Sequence, residues 1–397
     1  MRLPRISRGG GSRPGHRYLA GAPLLIAHRG GSLLSPENTL FAFRRALDWW
    51  RADVLEIDVH PTRDGDCVVI HDATVDRTTD GRGPVSSFSV DELRRLDAGH
   101  RFTPDGGATH PFRGRGIQIS TLAEVLRALP DARVNVEVKD GRAQKAVLRT
   151  IREAGAEHRV LVAAGDSRNR ALFHDYPGPT SAGAQDLYAF YALHLTGMTR
   201  LYRPPVDAFQ MPERNAGRQV LTPRWVAQAH AHNVAIHVWT VDEEADMRRL
   251  LDWGVDGIIS DRPDRLARVL HERVGRPLPP GLEVLHAPGH TEDQHVVWDG
   301  ETDAVVCGPD GVEAYEDALA AASPDPVLSQ ADAPPWLATA GSGDVLAGIA
   351  TGLLAQGMPA LVNAAIKGKG AMPPKGGSPA PDADVQAAVE YMVGASK

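Results

Sequence analysis

The sequence predicts the α/β class, with a TIM-type (β/α)8 barrel as its main body, and three observations carry that prediction. Short apolar runs alternate with helical periodicity over about 250 residues, the pattern of a parallel sheet closed on itself. Polar side chains collect at the C-terminal ends of those runs, where a barrel carries its functional groups. The cationic usage also changes abruptly near residue 276, so the barrel and the C-terminal extension are separate units. Residues 1–275 hold 36 Arg, 2 Lys and 34 acids, a charge of +4, whereas residues 276–397 hold 1 Arg, 4 Lys and 16 acids, a charge of −11.

In chain order, residues 1–21 are basic and Gly-rich and read as a disordered arm. They lack the apolar run of a secretory signal, which leads to the expectation of a cytoplasmic protein. Strands are predicted at Leu24–Ala27, Val54–Val59, Cys67–Ile70, Arg133–Val138, Val160–Ala164, Thr180–Gly183, Asp207–Gln210, Ala235–Thr240 and Gly257–Ser260. Helices are predicted at Leu40–Trp50, Thr121–Leu129, Arg142–Ala154, Pro223–His232, Glu243–Trp253 and Asp264–Arg273.

Nine strands compete for eight places, and Cys67–Ile70 is the extra one. The link from Val59 to Asp66 is too short for a parallel crossover, and it contains the hairpin signal Asp64-Gly65. A two-residue turn there sets Asp58 opposite His71, with Glu56 on the same face. Residues 72–120 are rich in Gly, Pro and Thr and read as a lid or substrate wall over the barrel mouth.

Composition narrows the functions. Two cysteines exclude a disulfide scaffold, and a net charge of −7 opposes a general nucleic-acid binder. No stretch reads as a membrane span: the best candidate, Val345 to Val362, is broken by glycines, Gln356 and Pro359. Oligomeric state is not legible.

Five strand ends carry the chemistry: His28-Arg29-Gly30, Glu56-Ile57-Asp58, His71-Asp72, Glu137-Val138-Lys139 and His237-Val238-Trp239. Polar groups at inward barrel positions are costly unless they hold a metal or one another. Glu56, Asp58 and Glu137 are candidate oxygen ligands for a hard divalent cation, Mg²⁺ or Ca²⁺. His28 and His71 are candidates for proton transfer. Arg29 and Lys139 offer positive charge to a phosphate, and Trp239 a wall for the substrate. His237 reads as packed or hydrogen-bonded. Together these groups specify phosphoester cleavage.

Residues 22–272 resemble the bacterial glycerophosphodiester phosphodiesterase family. The resemblance rests on His28-Arg29-Gly30, Pro36-Glu37-Asn38-Thr39, Glu56-Ile57-Asp58-Val59, Asp64-Gly65 with His71-Asp72, Glu137-Val138-Lys139, Trp239-Thr240-Val241 and Gly254 through Pro263. It implies hydrolysis of glycerophosphodiesters to glycerol 3-phosphate and an alcohol. It also implies a cation on Glu56, Asp58 and Glu137, acid–base roles for His28 and His71, a phosphate contact from Arg29, and Glu37 near the site. Asp242 stands where the family often has Asn. A lysophospholipase D-like activity and a non-catalytic barrel scaffold are the alternatives; the first expects a membrane-anchoring helix and the second the loss of a ligand or histidine.

Residues 276–397 read as an irregular, loosely folded extension assembled from three incomplete resemblances. His286 to Thr291 is similar to a metallo-β-lactamase-fold segment, without the His-x-His-x-Asp-His cluster that zinc needs. Ala338 to Gly348 is similar to a Gly-rich stretch of NAD(P)H-hydrate dehydratases, without the rest of that domain. Lys367 to Met392 is similar to the end of a class I cytochrome c, but no Cys-x-x-Cys-His exists for haem. Neither zinc nor haem is expected.

Overall fold

In the computed structural model, residues 16–277 are described, together with the short strands 282–285, 296–299 and 304–307. The chain divides into two compact units, Met1–Arg276 and Pro277–Lys397. In the first unit the strands are β1 (Leu24–His28), β2 (Val54–Pro61), β3 (Cys67–Val69), β4 (Arg133–Val138), β5 (Val160–Ala163), β6 (Ala208–Met211), β7 (Arg214–Asn215), β8 (Arg218–Gln219), β9 (Ala235–Val238) and β10 (Gly257–Ser260). The helices are α1 (Leu40–Asp48), α2 (Val90–Leu93), α3 (Leu122–Ala128), α4 (Gln144–Glu153), α5 (Ala184–Thr196), α6 (Pro223–Ala231), α7 (Glu244–Asp252) and α8 (Pro263–Val274).

The parallel strands run in the order β5-β4-β2-β1-β10-β9-β6. Residues 180–182 complete the circle between β5 and β6. Ser181 N–H donates to Val162 O at 3.0 Å, and Ala182 N–H donates to Ala208 O at 2.9 Å. This eighth place is held by single bridges, Val162 with Thr180 and Ser181 with Ala208, rather than by a full ladder. The first and last strands meet in register, Ala27 beside Ser260.

Every second residue of these short strands faces inward. Leu24, Ile26, Val54, Leu161, Ala163, Ala208, Ala235 and Ile259 fill one end of the interior. Tyr18 and Leu19, in a 3-10 turn at Arg17–Leu19, join that core. The expected disordered arm is therefore corrected over residues 16–21. Burying Tyr18 completely outweighs what the flanking glycines and arginines cost in order. Residues 1–15 lie outside the described residues.

β3 pairs antiparallel with β2 as expected, but in a register shifted by one: Val59 faces Val69 and His60 faces Val68. The turn has three residues instead of two. Gly65 N–H donates to Thr62 O at 3.3 Å, Thr62 N–H donates to Asp66 O at 3.0 Å, and Gly65 has φ +81°. That is a type I turn closed by a left-handed glycine, which adds a residue to the loop. Asp58 consequently stands opposite Ile70, whose N–H donates to Asp58 O at 2.9 Å. His71 reaches the mouth because the chain has already left the ladder.

Residues 72–120 are more than a loop. Val75, Val85, Leu93, Ala98 and Ile119 form a small core with Val68 and Ile70, so the segment is anchored on β3. Helix α5 has no counterpart among the predicted helices. Its apolar residues point all round, with Phe190 buried and Tyr188 and Leu195 each 65% exposed, so no 3.6-residue stripe marks it. Gly183 opens it because a Cβ there would lie 2.2 Å from Ser167 Oγ.

In the second unit, β11 (Leu282–Leu285), β12 (Val296–Asp299) and β13 (Ala304–Cys307) form an antiparallel sheet in sequence order. The segments of the extension with partial resemblances lie outside the described residues.

Candidate active site

The loop after β1 is built around unusual backbone. Arg29, Gly30 and Gly31 all have positive φ, at +52°, +85° and +94°. A Cβ on Gly30 would lie 2.8 Å from Ala42 Cβ and 2.9 Å from Phe43 Cδ1, so only glycine lets the loop lie against α1. This conformation turns Arg29 N–H toward Glu56, donating to Oε2 at 3.1 Å. Pro36-Glu37-Asn38-Thr39 then divides its work by residue. Glu37 accepts from Arg29 Nη1 at 3.1 Å. Asn38 donates from Nδ2 to Asp58 Oδ2 at 2.9 Å, and Thr39 caps α1 by accepting from Ala42 N–H.

Glu56, Asp58 and Glu137 converge. One ligand oxygen from each lies within 4.8 Å of the others. Asp58 and Glu137 are direct neighbours across the parallel pair β2–β4. Burial, and next the charge of Asp58, push Glu56 up to about 8. Burial would raise Asp58 as well, but Lys139 and Arg29 outweigh it and hold its carboxyl below the usual range. Lys139 Nζ lies 2.9 Å from both Asp58 Oδ1 and Glu137 Oε2, and Arg29 Nε lies 3.3 Å from Asp58 Oδ2. Burial disfavours the lysine charge, yet these carboxylates raise it to about 12.

Each histidine is held at Nδ1 by a carboxylate. His28 Nδ1 lies 2.6 Å from Asp261 Oδ1, and His71 Nδ1 lies 2.6 Å from Asp72 Oδ1. A carboxylate at Nδ1 fixes the tautomer and leaves Nε2 to work. His28 Nε2 is 3.8 Å from Glu56 Oε2. Burial opposes the His28 charge, but the Asp261 bond and Glu56 raise it to about 8. His71 is close enough for its charge to lower Asp58. Burial pulls Asp72 upward, but Arg77 and His71 hold it down at about 2. His60 Nε2 lies 2.9 Å from His71 O and braces that turn.

His28, Arg29, Glu37, Glu56, Asp58, His71, Glu137 and Lys139 thus belong to one charged network. Trp239 stands apart from it, 44% exposed just after β9 on the same rim. His237 is fully buried, and burial lowers it to about 4, so it is a neutral interior residue.

Asp261 and Arg77 belong to this network as well, although neither is among the candidate site residues of the sequence. For Asp261 a signal exists. In any closed barrel the last strand neighbours the first, so the residue after Ser260 must lie beside His28. For Arg77 none exists, because its position depends on how the inserted segment folds.

Among the described residues no helix is long and apolar enough to cross a membrane. The pattern of the glycerophosphoryl diester phosphodiesterase family matches residues 28–265. A glycerophosphodiester phosphodiesterase of Caldanaerobacter subterraneus subsp. tengcongensis is 34% identical over 258 residues, covering 63% of this chain and 98% of that protein. One from Bacillus altitudinis is 31% identical over 260 residues, covering 62% of this chain and 98% of its own. The solved glycerophosphoryl diester phosphodiesterase domain of a Mycobacterium tuberculosis protein has the same fold. Its TM-score is 0.56 at 22% identity, and the match covers 64% of this chain and all of that one. With the match spanning well over half the chain, the protein belongs to the glycerophosphoryl diester phosphodiesterase family.

Proposed function

We propose that the barrel is a divalent-cation-dependent phosphoric diester hydrolase that cleaves glycerophosphodiesters to sn-glycerol 3-phosphate and an alcohol. The observation that carries this reading is the juxtaposition of three converging carboxylates, two cations and two carboxylate-braced imidazoles at one barrel mouth. The donor set suits a hard cation. All three ligands are oxygens, two of the carboxylates are buried and Glu137 is half-buried, and groups this close repel one another unless neutralised. Glu56, Asp58 and Glu137 would hold Mg²⁺ or Ca²⁺. When bound, that ion supplies Lewis-acid neutralisation of phosphate charge.

The chain's own residues do the rest. Arg29 is pre-aimed by Glu37 and Asp58 and presents its fork to non-bridging phosphate oxygens. Lys139 adds a second positive charge between Asp58 and Glu137. One imidazole takes the proton of the attacking oxygen and the other protonates the departing alkoxide. Asp261 and Asp72 keep both rings in the tautomer with Nε2 toward the site. Trp239 offers an apolar wall to the head group.

The test is a coupled glycerol 3-phosphate assay on the full chain with glycerophosphocholine and glycerophosphoethanolamine as substrates, and a choline-release assay with a lysophosphatidylcholine. Release of glycerol 3-phosphate, abolished by EDTA and restored by Mg²⁺ or Ca²⁺, is the expected result. Activity unaffected by chelation, or no release from any glycerophosphodiester, refutes it.

A further inference from the structure

Arg77 lies in the inserted segment, five residues beyond Asp72, and uses its whole guanidinium edge on two carboxylates. Its Nη1 and Nη2 donate to Glu37 Oε2 and Oε1 at 2.6 and 2.8 Å. Its Nε and Nη2 donate to Asp72 Oδ2 and Oδ1 at 2.7 and 3.2 Å. Glu37 is the partner of Arg29, and Asp72 is the partner of His71. A continuous chain of contacts therefore runs Asp58–Arg29–Glu37–Arg77–Asp72–His71, and Arg77 is its middle link.

From this geometry we propose that Arg77 is a positioning residue that couples the phosphate grip of Arg29 to the orientation of His71. The proposal rests on the function given above. Its physical basis is the difference between energy and geometry. The Arg77 side chain is 47% exposed, and an ion pair that wet adds little to stability. Two bidentate forks from one planar group nonetheless fix the distance and angle between Glu37 and Asp72. A displacement near 1 Å in a reacting group costs about 10²-fold in rate. Arg77 thus acts on turnover far more than on folding. The inserted segment, anchored through its own core on β3, is a structural member of the site through this side chain.

His28 serves as the internal control. Its brace is Asp261, which also accepts from Ser32 Oγ at 2.5 Å, whereas the Arg77 hydrogen bonds among the described residues go to Glu37 and Asp72. The experiment compares the full-length wild type with Arg77→Gln and Arg77→Lys. It measures kcat and KM for glycerophosphocholine, Tm, and the imidazole ¹H–¹⁵N resonances of His28 and His71, assigned with His28→Gln and His71→Gln. The expected result for Arg77→Gln is a kcat/KM lower by roughly 10- to 10²-fold, shared between kcat and KM, with Tm moved by no more than a few degrees. The His71 resonance shifts while His28 stays in place. Arg77→Lys recovers only part of the loss, because an ammonium lacks the fork. Glu37→Gln costs less in the Arg77→Gln background than alone, as expected for members of one network. An Arg77→Gln enzyme within twofold of wild type overturns the assignment. So does a variant in which both histidine resonances move together with a large fall in Tm, which makes Arg77 a folding residue. If the wild type releases no glycerol 3-phosphate, the proposed function fails, and the histidine resonances alone decide the role of Arg77.

Discussion

Along β1, Leu24 and Ile26 are buried among aliphatic side chains, and His28, two residues further, faces Glu56. Along β2 the sequence of inward residues is Val54, Glu56, Asp58. One end of the barrel interior is thus a sealed core plugged by Tyr18, and the other is a concentration of charge. The strands are too short to blend the two, so the change occurs within one or two residues. The lower end supplies the stability that lets the upper end hold groups in unfavourable company. Substitutions at the two ends should therefore move different observables.

The largest effect is expected at the upper end. His28→Gln and His71→Gln should each lower kcat by about 10²–10⁴-fold, roughly 3–5 kcal/mol of barrier, with little change in Tm. Turnover near the wild-type rate would show that the mouth does not use these imidazoles. At the lower end, Tyr18→Ala should cost about 3 kcal/mol or more in denaturant unfolding, because it empties a fully buried aromatic site. Activity per folded molecule should stay the same; a fall in kcat would show that the two ends are coupled.

The third prediction sharpens the contrast. In EDTA at neutral pH, Glu56→Gln should raise thermal stability by roughly 1–2 kcal/mol, since Glu56, pushed up to about 8 by burial and Asp58, must take up a proton on folding and a glutamine need not. The same variant should be inactive. A loss of stability in EDTA would mean that Glu56 is a structural asset. The smallest effect concerns His230, whose Nε2 lies 2.7 Å from Asp256 Oδ2 beside the start of β10. That bond, opposed by burial, raises the histidine above its ordinary value. A raised folded-state value makes the contribution complete below the unfolded value, near pH 6.5, and loses it as pH rises through the folded one. His230→Gln should therefore cost less than about 1 kcal/mol, and the gap from wild type should close as pH rises above about 6.5. A gap that widens with pH refutes the pairing.

Much of this division is legible in the amino-acid order, because it depends on local rules. Period-two alternation places Glu56 with Asp58 and Glu137 with Lys139, and short strands separated by helical stripes specify the barrel. The features that escaped depend on longer-range or subtler events. A single left-handed glycine at 65 adds one residue to a turn and shifts the Asp58 register. Tyr18 is ordered by a core assembled from strands distant in the chain, which no local composition reveals. Helix α5 has no stripe to detect. Arg77 takes its place only after residues 72–120 have folded on β3.

The pairing of His28 with Asp261 spans 233 positions in the chain. It cannot form until the first and last strands of the barrel have met, so chemical competence belongs to the closed barrel rather than to any part. A nascent chain carrying every ligand but lacking residue 261 has His28 without its brace. Opening of the β1–β10 seam would separate the pair. Recovery of hydrolysis during refolding therefore serves as a clock for seam closure, readable without any spectroscopic label.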